Sequence, residues 1–291
     1  MSKPVIGVIG GSGLYELEGL TDTREENVTT PYGDPSDALM IGRLEGVEMI
    51  FIPRHGRGHR HTPSEINYRA NIYALKEKGV THIVSVSACG SLKEEIEPGH
   101  IVLIDQFFDR TKGIRKDTFF GDGVVGHVPF ADPINEALRK ILLNCGKELG
   151  IAVHDGGCYV CIEGPQFSSR SESHFYRNAV GAEVIGMTNI TEAKLAREAG
   201  LCYATLALAT DYDCWRTEDA DVSVEEIMAT MAKNIANAKR ILTAAVPKIQ
   251  ADTGKEQAES AIAFAVVTAG SVIPEEAKER FAVLHGRRLG E

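Results

Sequence analysis

Short apolar runs rich in β-branched residues recur along the chain at Val5–Ile9, Val47–Ile52, Thr81–Ser87, Ile101–Ile104, Tyr159–Ile162, Glu183–Met187 and Leu201–Thr210. Their length and composition predict strands. Between them the spacing turns helical. Thr62-Pro-Ser-Glu65 has the form of a capping box with proline at the first helical position, and Ile66, Ala70, Tyr73 and Ala74 follow on one face. A helix over 63–78, stopped by Gly79, is predicted. Similar starts stand at Asp132-Pro133 before a helix ending near Gly150, at Asn189-Ile-Thr-Glu192 before a short helix ending at Gly200, and at Ser223-Val-Glu-Glu226 before a long one.

Strands alternating with helices through most of the chain predict an α/β fold in one domain, with a largely buried sheet. That domain is expected over 1–250. A polar stretch near Ala251–Glu259 leads into an expected C-terminal helical extension over 251–291, packed on the same domain, with two helices and the second beginning at Pro274. No internal repeat is visible.

Composition narrows the function classes. The 291 residues are 43% hydrophobic and 25% charged, with a formal net charge of -10, so nothing draws the chain to nucleic acid or to an anionic membrane. An anionic substrate needs a local cationic site. With no long apolar run and no cleavable leader in MSKPVIGVIGGSG, a cytoplasmic protein is expected. Cysteines at 89, 145, 158, 161, 202 and 214 read first as reduced structural thiols, with a redox or metal role the alternative. Cys158 and Cys161 form a lone C-x-x-C whose side chains would point to opposite faces of a strand.

Candidate chemistry gathers at strand ends. Gly10-Gly-Ser-Gly13 follows the first strand and can turn its amides and the Ser12 hydroxyl toward an anion, or simply make a tight turn. Glu16 breaks the dinucleotide pattern G-x-G-x-x-G, and no Lys-Ser/Thr follows for a P-loop. Pro53–His61 carries three arginines and three histidines after an apolar strand. It reads first as an anion pocket. Zinc on His55, His59 and His61 is the rival, opposed by the adjacent guanidinium groups, and a solvated loop is the plain alternative. Ser85–Ser91 ends a strand in small residues that let a ligand approach the backbone. Ile162–Glu172 and Ile185–Thr188 add an aromatic ring, hydroxyls and a thioether, which suit a base and a sugar or a core. In Leu206–Trp215 a strand exits into Asp211 and Asp213, whose i, i+2 spacing can place both carboxylates on one face. Two such groups in a desolvated cleft resist double ionisation, so one can keep a proton and act as a general acid.

Taken in order, Gly10-Gly-Ser-Gly13, Arg54-His55-Gly, Ser87-Ala-Cys-Gly-Ser91, Ile162-Glu-Gly-Pro-Gln-Phe-Ser-Ser-Arg, Gly186-Met-Thr188 and Ala209-Thr-Asp-Tyr-Asp-Cys-Trp215 resemble the methylthioadenosine phosphorylase branch of the trimeric purine nucleoside phosphorylase family. The resemblance runs from Val5 to about Ile249. It implies a central twisted mixed sheet flanked by helices, with phosphate held by Ser12, Arg54, His55, Ser87, the Ala88 amide and Thr188. It also sets Met187 against the ribose, Phe167 and Ser168 beside the base, and Asp211 and Asp213 at the purine N7 and 6-amino edge. Members acting on 6-oxopurines are asparagine-like at the Asp211 position, so aspartate favours adenine compounds.

By the same resemblance, a neighbouring subunit completes the pocket around the 5' group, with His127, Val224 and Ile227 among its lining. The implied assembly is a homotrimer, or a homohexamer as in some relatives. The implied reaction is phosphorolysis of 5'-methylthioadenosine, with inorganic phosphate as co-substrate and no metal or organic cofactor. A 6-oxopurine nucleoside phosphorylase, a non-catalytic adenine nucleoside-binding protein and a nicotinamide-dependent dehydrogenase are the competing readings.

Overall fold

The structure, a computed structural model, describes residues 3–216 and 224–290, without the side chains of Ser12 and of residues 224–228. In chain order the strands are β1 (Val5–Gly10), β2 (Thr21–Glu26), β3 (Leu39–Leu44), β4 (Val47–Pro53), β5 (His82–Ser91), β6 (Ile101–Leu103), β7 (Gln106–Arg110), β8 (Val153–Asp155), β9 (Cys158–Ile162), β10 (Val184–Gly186) and β11 (Cys202–Tyr212). The helices are α1 (Tyr68–Glu77), α2 (Glu136–Glu148), α3 (Arg170–Phe175), α4 (Asn189–Glu198), α5 (Val224–Ala245), α6 (Lys255–Ala263) and α7 (Glu275–His285).

The eleven strands among the described residues join one mixed sheet whose axis is β5. Along one edge of β5, β11 runs parallel from His82 to Ser91. The other edge is shared: β1 pairs in parallel with His82–Ser85, and β10 pairs antiparallel with Gly90 and Ser91. Between those partners the edge of Val86–Cys89 carries no strand among the described residues. β1 continues through β4 and β3 to β2, while β10 continues through β9 to β7. Because the buried strands bring Ile6, Val8, Ile83, Val84 and Leu206 into one core, α1, α4 and α5 cover them. In the C-terminal segment, α6 packs on α4 and α7 on α1, with Ala277, Phe281 and Leu284 buried.

Several expectations shift. The helix expected over 63–78 begins at Tyr68, because Asn67 caps it: Asn67 Oδ1 accepts from the Ala70 amide at 3.2 Å, and asparagine is the stronger N-cap. Thr62–Glu65 keeps one half of a capping box, with Glu65 Oε2 accepting from the Thr62 amide at 2.9 Å and its hydroxyl at 2.7 Å, while the Glu65 amide bonds the Thr62 carbonyl rather than the side chain, and it closes only a turn. Strands β5 and β11 run past their expected ends. The polar stretch near Ala251–Glu259 already contains the start of α6, after Gly254 in the left-handed region. β2, with sequence TDTREE, is an exposed edge strand held by hairpin pairing to β3, and its all-polar sequence carries no apolar signal. Ser223, the expected cap of α5, lies outside the described residues.

Candidate active site

The unpaired edge of β5 opens into a cavity of about 750 Å3, within the range that holds a small ligand. Gly11 and Gly13 from the glycine turn, Arg54, His55 and His59 to Thr62 from the basic loop, Ser87 and Ala88 from the open edge, and Met187 and Thr188 after β10 all contribute to its wall. Asp211 and Asp213 close the other end, and Met231 and Ile235 of α5 supply an apolar side. The cavity thus sits where β5 changes from a parallel to an antiparallel neighbour, the place where open α/β sheets take ligands.

Arg54 is buried at the anion end and is not free. Its Nε and Nη2 donate to the carboxylate of Glu192, the latter at 3.3 Å, while Nη2 also meets Ser85 Oγ at 2.6 Å and Nη1 meets the Val86 carbonyl at 3.0 Å. Glu192 is equally buried, accepting further from Ser85 Oγ at 2.7 Å and Tyr203 OH at 2.9 Å. Burial alone would lower the arginine pKa, but Glu192 more than offsets it and holds Arg54 charged. The pair carries no net charge. What the site offers an anion is therefore directional donors: the guanidinium, the Ser87 and Thr188 hydroxyls, the open β5 edge, and the N-terminus of α4, whose cap is Thr188.

His55 lines the same end. Its Nδ1 lies 2.8 Å from the His61 carbonyl, and its ring stacks on His59 with centroids 4.1 Å apart. Burial pushes its pKa down to about 4, helped by Arg54 and His59 and opposed by the His61 carbonyl. Among the described residues no group of three or more His, Cys, Asp and Glu side chains is placed to hold a metal ion.

At the far end a β-bulge does the aiming. Ala209 pairs with Cys89 and Asp211 with Gly90, so Thr210 is the extra residue, and such bulges turn a side chain out of the pleat. Thr210 Oγ1 contacts the Cys89 carbonyl at 3.2 Å and Asp211 Oδ2 at 2.7 Å. The Asp213 amide bonds the Ser91 carbonyl at 3.1 Å. Both carboxylates therefore flank Gly90, where a Cβ would stand 3.2 Å from Asp211 Oδ1 and 3.2 Å from Asp213 Cβ. Burial raises the pKa of Asp211, with Asp213 adding to the rise and the Thr210 hydroxyl opposing it; burial likewise raises Asp213. Asp213 Oδ2 and Ser168 Oγ are buried without a hydrogen-bond partner among the described residues.

A second buried ion pair braces the middle. Arg115 Nε meets Glu163 Oε1 at 2.8 Å and Ser64 Oγ at 3.2 Å, and its Nη1 donates to the Met187 carbonyl at 2.6 Å. Phe167 and Ser168 also line the cavity, Phe167 being 84% exposed at its mouth. Of the sequence-read residues, Arg54, His55, Ser87, Ala88, Thr188, Phe167, Ser168, Met187, Asp211 and Asp213 converge on this one space. The side chains of Ser12, Val224 and Ile227 lie outside the described ones. His127 does not reach the cavity of its own chain. It is exposed on a ribbon where its amide bonds the Ala265 carbonyl at 2.8 Å. Glu192, Arg115 and Glu163 were missed: Glu192 reads in sequence as a helix-start residue, and no local pattern ties Arg115 to Glu163.

A donor-lined end, a carboxylate end and an apolar flank thus meet in the gap of a mixed α/β sheet, an arrangement of the phosphorylase kind. The chain belongs to the Phosphorylase superfamily, which it matches over residues 5–247. The S-methyl-5'-thioadenosine phosphorylase of Geobacter sulfurreducens is 56% identical over 284 residues, covering 98% of this chain and 99% of that one. The protein of the same name from Koribacter versatilis is 49% identical over 286 residues, 98% and 97% of the two chains. A crystal structure of methylthioadenosine phosphorylase sourced from an antarctic soil metagenomic library matches with TM-score 0.90 at 48% identity, over 98% of this chain and 99% of that one. The methylthioadenosine phosphorylase from Schistosoma mansoni in complex with adenine matches with TM-score 0.82 at 37% identity, over 90% and 99%. Likeness therefore continues through the C-terminal helices, past the point near Ile249 to which the resemblance of the sequence runs.

Proposed function

We propose that this cavity catalyses the phosphorolysis of 5'-methylthioadenosine to adenine and 5-methylthioribose 1-phosphate. The observation that carries the reading is the placement of the two ends on one strand. Arg54 bonds the Val86 carbonyl and Asp211 sits opposite Gly90, about 13 Å apart along β5 at the usual rise per residue. That length suits a purine nucleoside with phosphate behind its anomeric carbon.

Phosphate at Arg54, His55, Ser87, the Ala88 amide, Thr188 and Ser12 faces the sugar, which rests on Met187. The glycosidic bond loosens toward an oxocarbenium-like state, and the negative phosphate stabilises that charge while forming the new bond. The purine leaves between Phe167 and Ser168 with its N7 protonated by Asp211, while Asp213 accepts from the 6-amino group. The raised pKa of Asp211 keeps its proton available. Phosphate is the nucleophile, so the reaction needs no metal or organic cofactor. The apolar side at Met231 and Ile235 accords with a methylthio rather than a hydroxyl group.

His127, exposed and bonded through its amide to the Ala265 carbonyl, is assigned to the cavity of a neighbouring subunit in a homotrimer; the resemblance assigns Val224 and Ile227, whose side chains lie outside the described ones, to the same 5' region. The protein is assigned to the cytoplasm; no helix among the described residues is long and apolar enough to cross a membrane. The test is Asp211→Asn, assayed on methylthioadenosine, methylthioinosine and inosine. Adenine release should fall by about 10² to 10⁴, with relative preference moving toward the 6-oxo compounds. Unchanged activity on methylthioadenosine would remove Asp211 from the mechanism.

A further inference from the structure

At the anion end of the cavity the Arg54 guanidinium, the Ser87 and Thr188 hydroxyls and the backbone amides can donate hydrogen bonds to an anion, and His55 is held to do the opposite. The nitrogen Nδ1 of His55 lies 2.8 Å from the His61 carbonyl oxygen. A carbonyl only accepts, so Nδ1 carries the ring hydrogen. A second proton on the ring is opposed by burial, by Arg54 and by the stacked His59, and favoured by Glu192 and the His61 carbonyl, with the balance far on the neutral side. The His61 ring is itself engaged, its Nε2 3.2 Å from Arg60 Nε. His55 thus presents a bare lone pair at Nε2. The space the ring lines is the cavity.

We propose that His55 Nε2 reads a hydrogen on the incoming anion, so that the site takes tetrahedral oxyanions bearing a hydroxyl, phosphate and arsenate, in preference to sulfate, which has none. The inference rests on the phosphorolysis reading and deepens it by defining the class of nucleophile. The hydrogen phosphate dianion has one O–H to give to Nε2 and three oxygens to accept from Arg54, Ser87, Thr188 and the amides. Sulfate sets an oxygen lone pair against the Nε2 lone pair. It binds well only if His55 first takes a proton from the buffer. With a pKa of about 4, that protonation is unfavourable by about 10³ at neutral pH, part of which the anion's own charge returns. A discrimination of about 10- to 10³-fold is expected. The buried Arg54–Glu192 pair keeps net charge from swamping it.

The test is calorimetric titration of phosphate, arsenate and sulfate into the unliganded wild-type protein, in two buffers of different ionisation enthalpy, where phosphate is the hydrogen-bearing dianion. Phosphate and arsenate should bind within several-fold of each other with no net proton uptake. Sulfate should bind at least tenfold more weakly, taking up about one proton. Sulfate binding as tight as phosphate, without proton uptake, overturns the inference. In His55→Lys, which offers only donors, the phosphate-over-sulfate ratio should collapse to a few-fold; an unchanged ratio in a folded variant also overturns it. If that variant fails to fold, the imidazole 15N shifts of the wild type decide: Nδ1–H with bare Nε2 supports the inference, and a doubly protonated ring at neutral pH refutes it. Phosphate binding with the expected anion ranking but no release of base from methylthioadenosine would strike the phosphorolysis reading alone.

Discussion

Replacing Glu192 by glutamine should damage stability and phosphate binding together, for a reason that can be sized from the structure. The Glu192 side chain is 2% exposed and the Arg54 side chain 4%. The carboxylate accepts from Arg54 Nε and Nη2, from Ser85 Oγ and from Tyr203 OH. The two hydroxyls can turn to accept from an amide, so the loss falls on Arg54, left as a buried charge without a counter-charge and with an N–H facing its own donors. Breaking one side of a buried pair costs about 3–5 kcal/mol. In a protein of this size each kcal/mol moves the melting temperature by about 2–4 °C, so Glu192→Gln should melt about 6–20 °C lower. The guanidinium should also lose its fixed aim, and KM for phosphate should rise well above tenfold. Thermal melting in phosphate-free buffer and initial rates against phosphate measure both. The double variant Arg54→Met/Glu192→Leu separates them, since an apolar pair of similar volume restores most of the stability but not phosphate use. Glu192→Gln melting within about 2 °C of wild type, with unaltered KM for phosphate, would refute the reasoning.

Gly90→Ala should lower kcat with little effect on folding, because its Cβ would press on Asp211 Oδ1 and Asp213 Cβ at 3.2 Å; wild-type kcat would mean the carboxylates need no such aim. Glu198, buried at the end of α4 and bonded to Thr118 Oγ1 and the Phe119 amide, has its pKa raised by burial from 4.5 to about 7. A raised carboxylate pKa contributes stability below the unfolded value that is lost as pH rises through the folded one. Wild type should therefore lose up to about 3 kcal/mol relative to Glu198→Gln across that window, read as diverging melting curves; parallel curves would contradict it. Phe264 is 97% exposed, as are in part Val267 and Val125, which are joined by a hydrogen bond from the Val267 amide to the Val125 carbonyl, so Phe264→Glu should dissociate the proposed trimer in sedimentation, and an intact trimer would move the interface elsewhere.

The buried strands and the residues at their ends were legible because parallel sheets are written as apolar runs and ligands meet such sheets at strand termini. Arg54, Ser87 and Asp211 could be picked out this way. What escaped detection depends on pairing across long sequence separations. The all-polar β2 is a strand only because β3 lies beside it. Glu192 is 138 residues from the arginine it neutralises, and Glu163 is 48 from Arg115. The bulge at Thr210 leaves no mark in local composition either, although it decides where Asp211 points. Thr62 satisfied the capping pattern and lost to Asn67, since a motif states which hydrogen bonds can form and not which competitor holds the helix end.

The most direct measurement is the release of adenine from methylthioadenosine with and without inorganic phosphate, with the sugar product identified. The account predicts release that saturates with phosphate and yields one 5-methylthioribose 1-phosphate per adenine. Release at the same rate without phosphate, giving free methylthioribose, or binding of the nucleoside with no release at all, would contradict it.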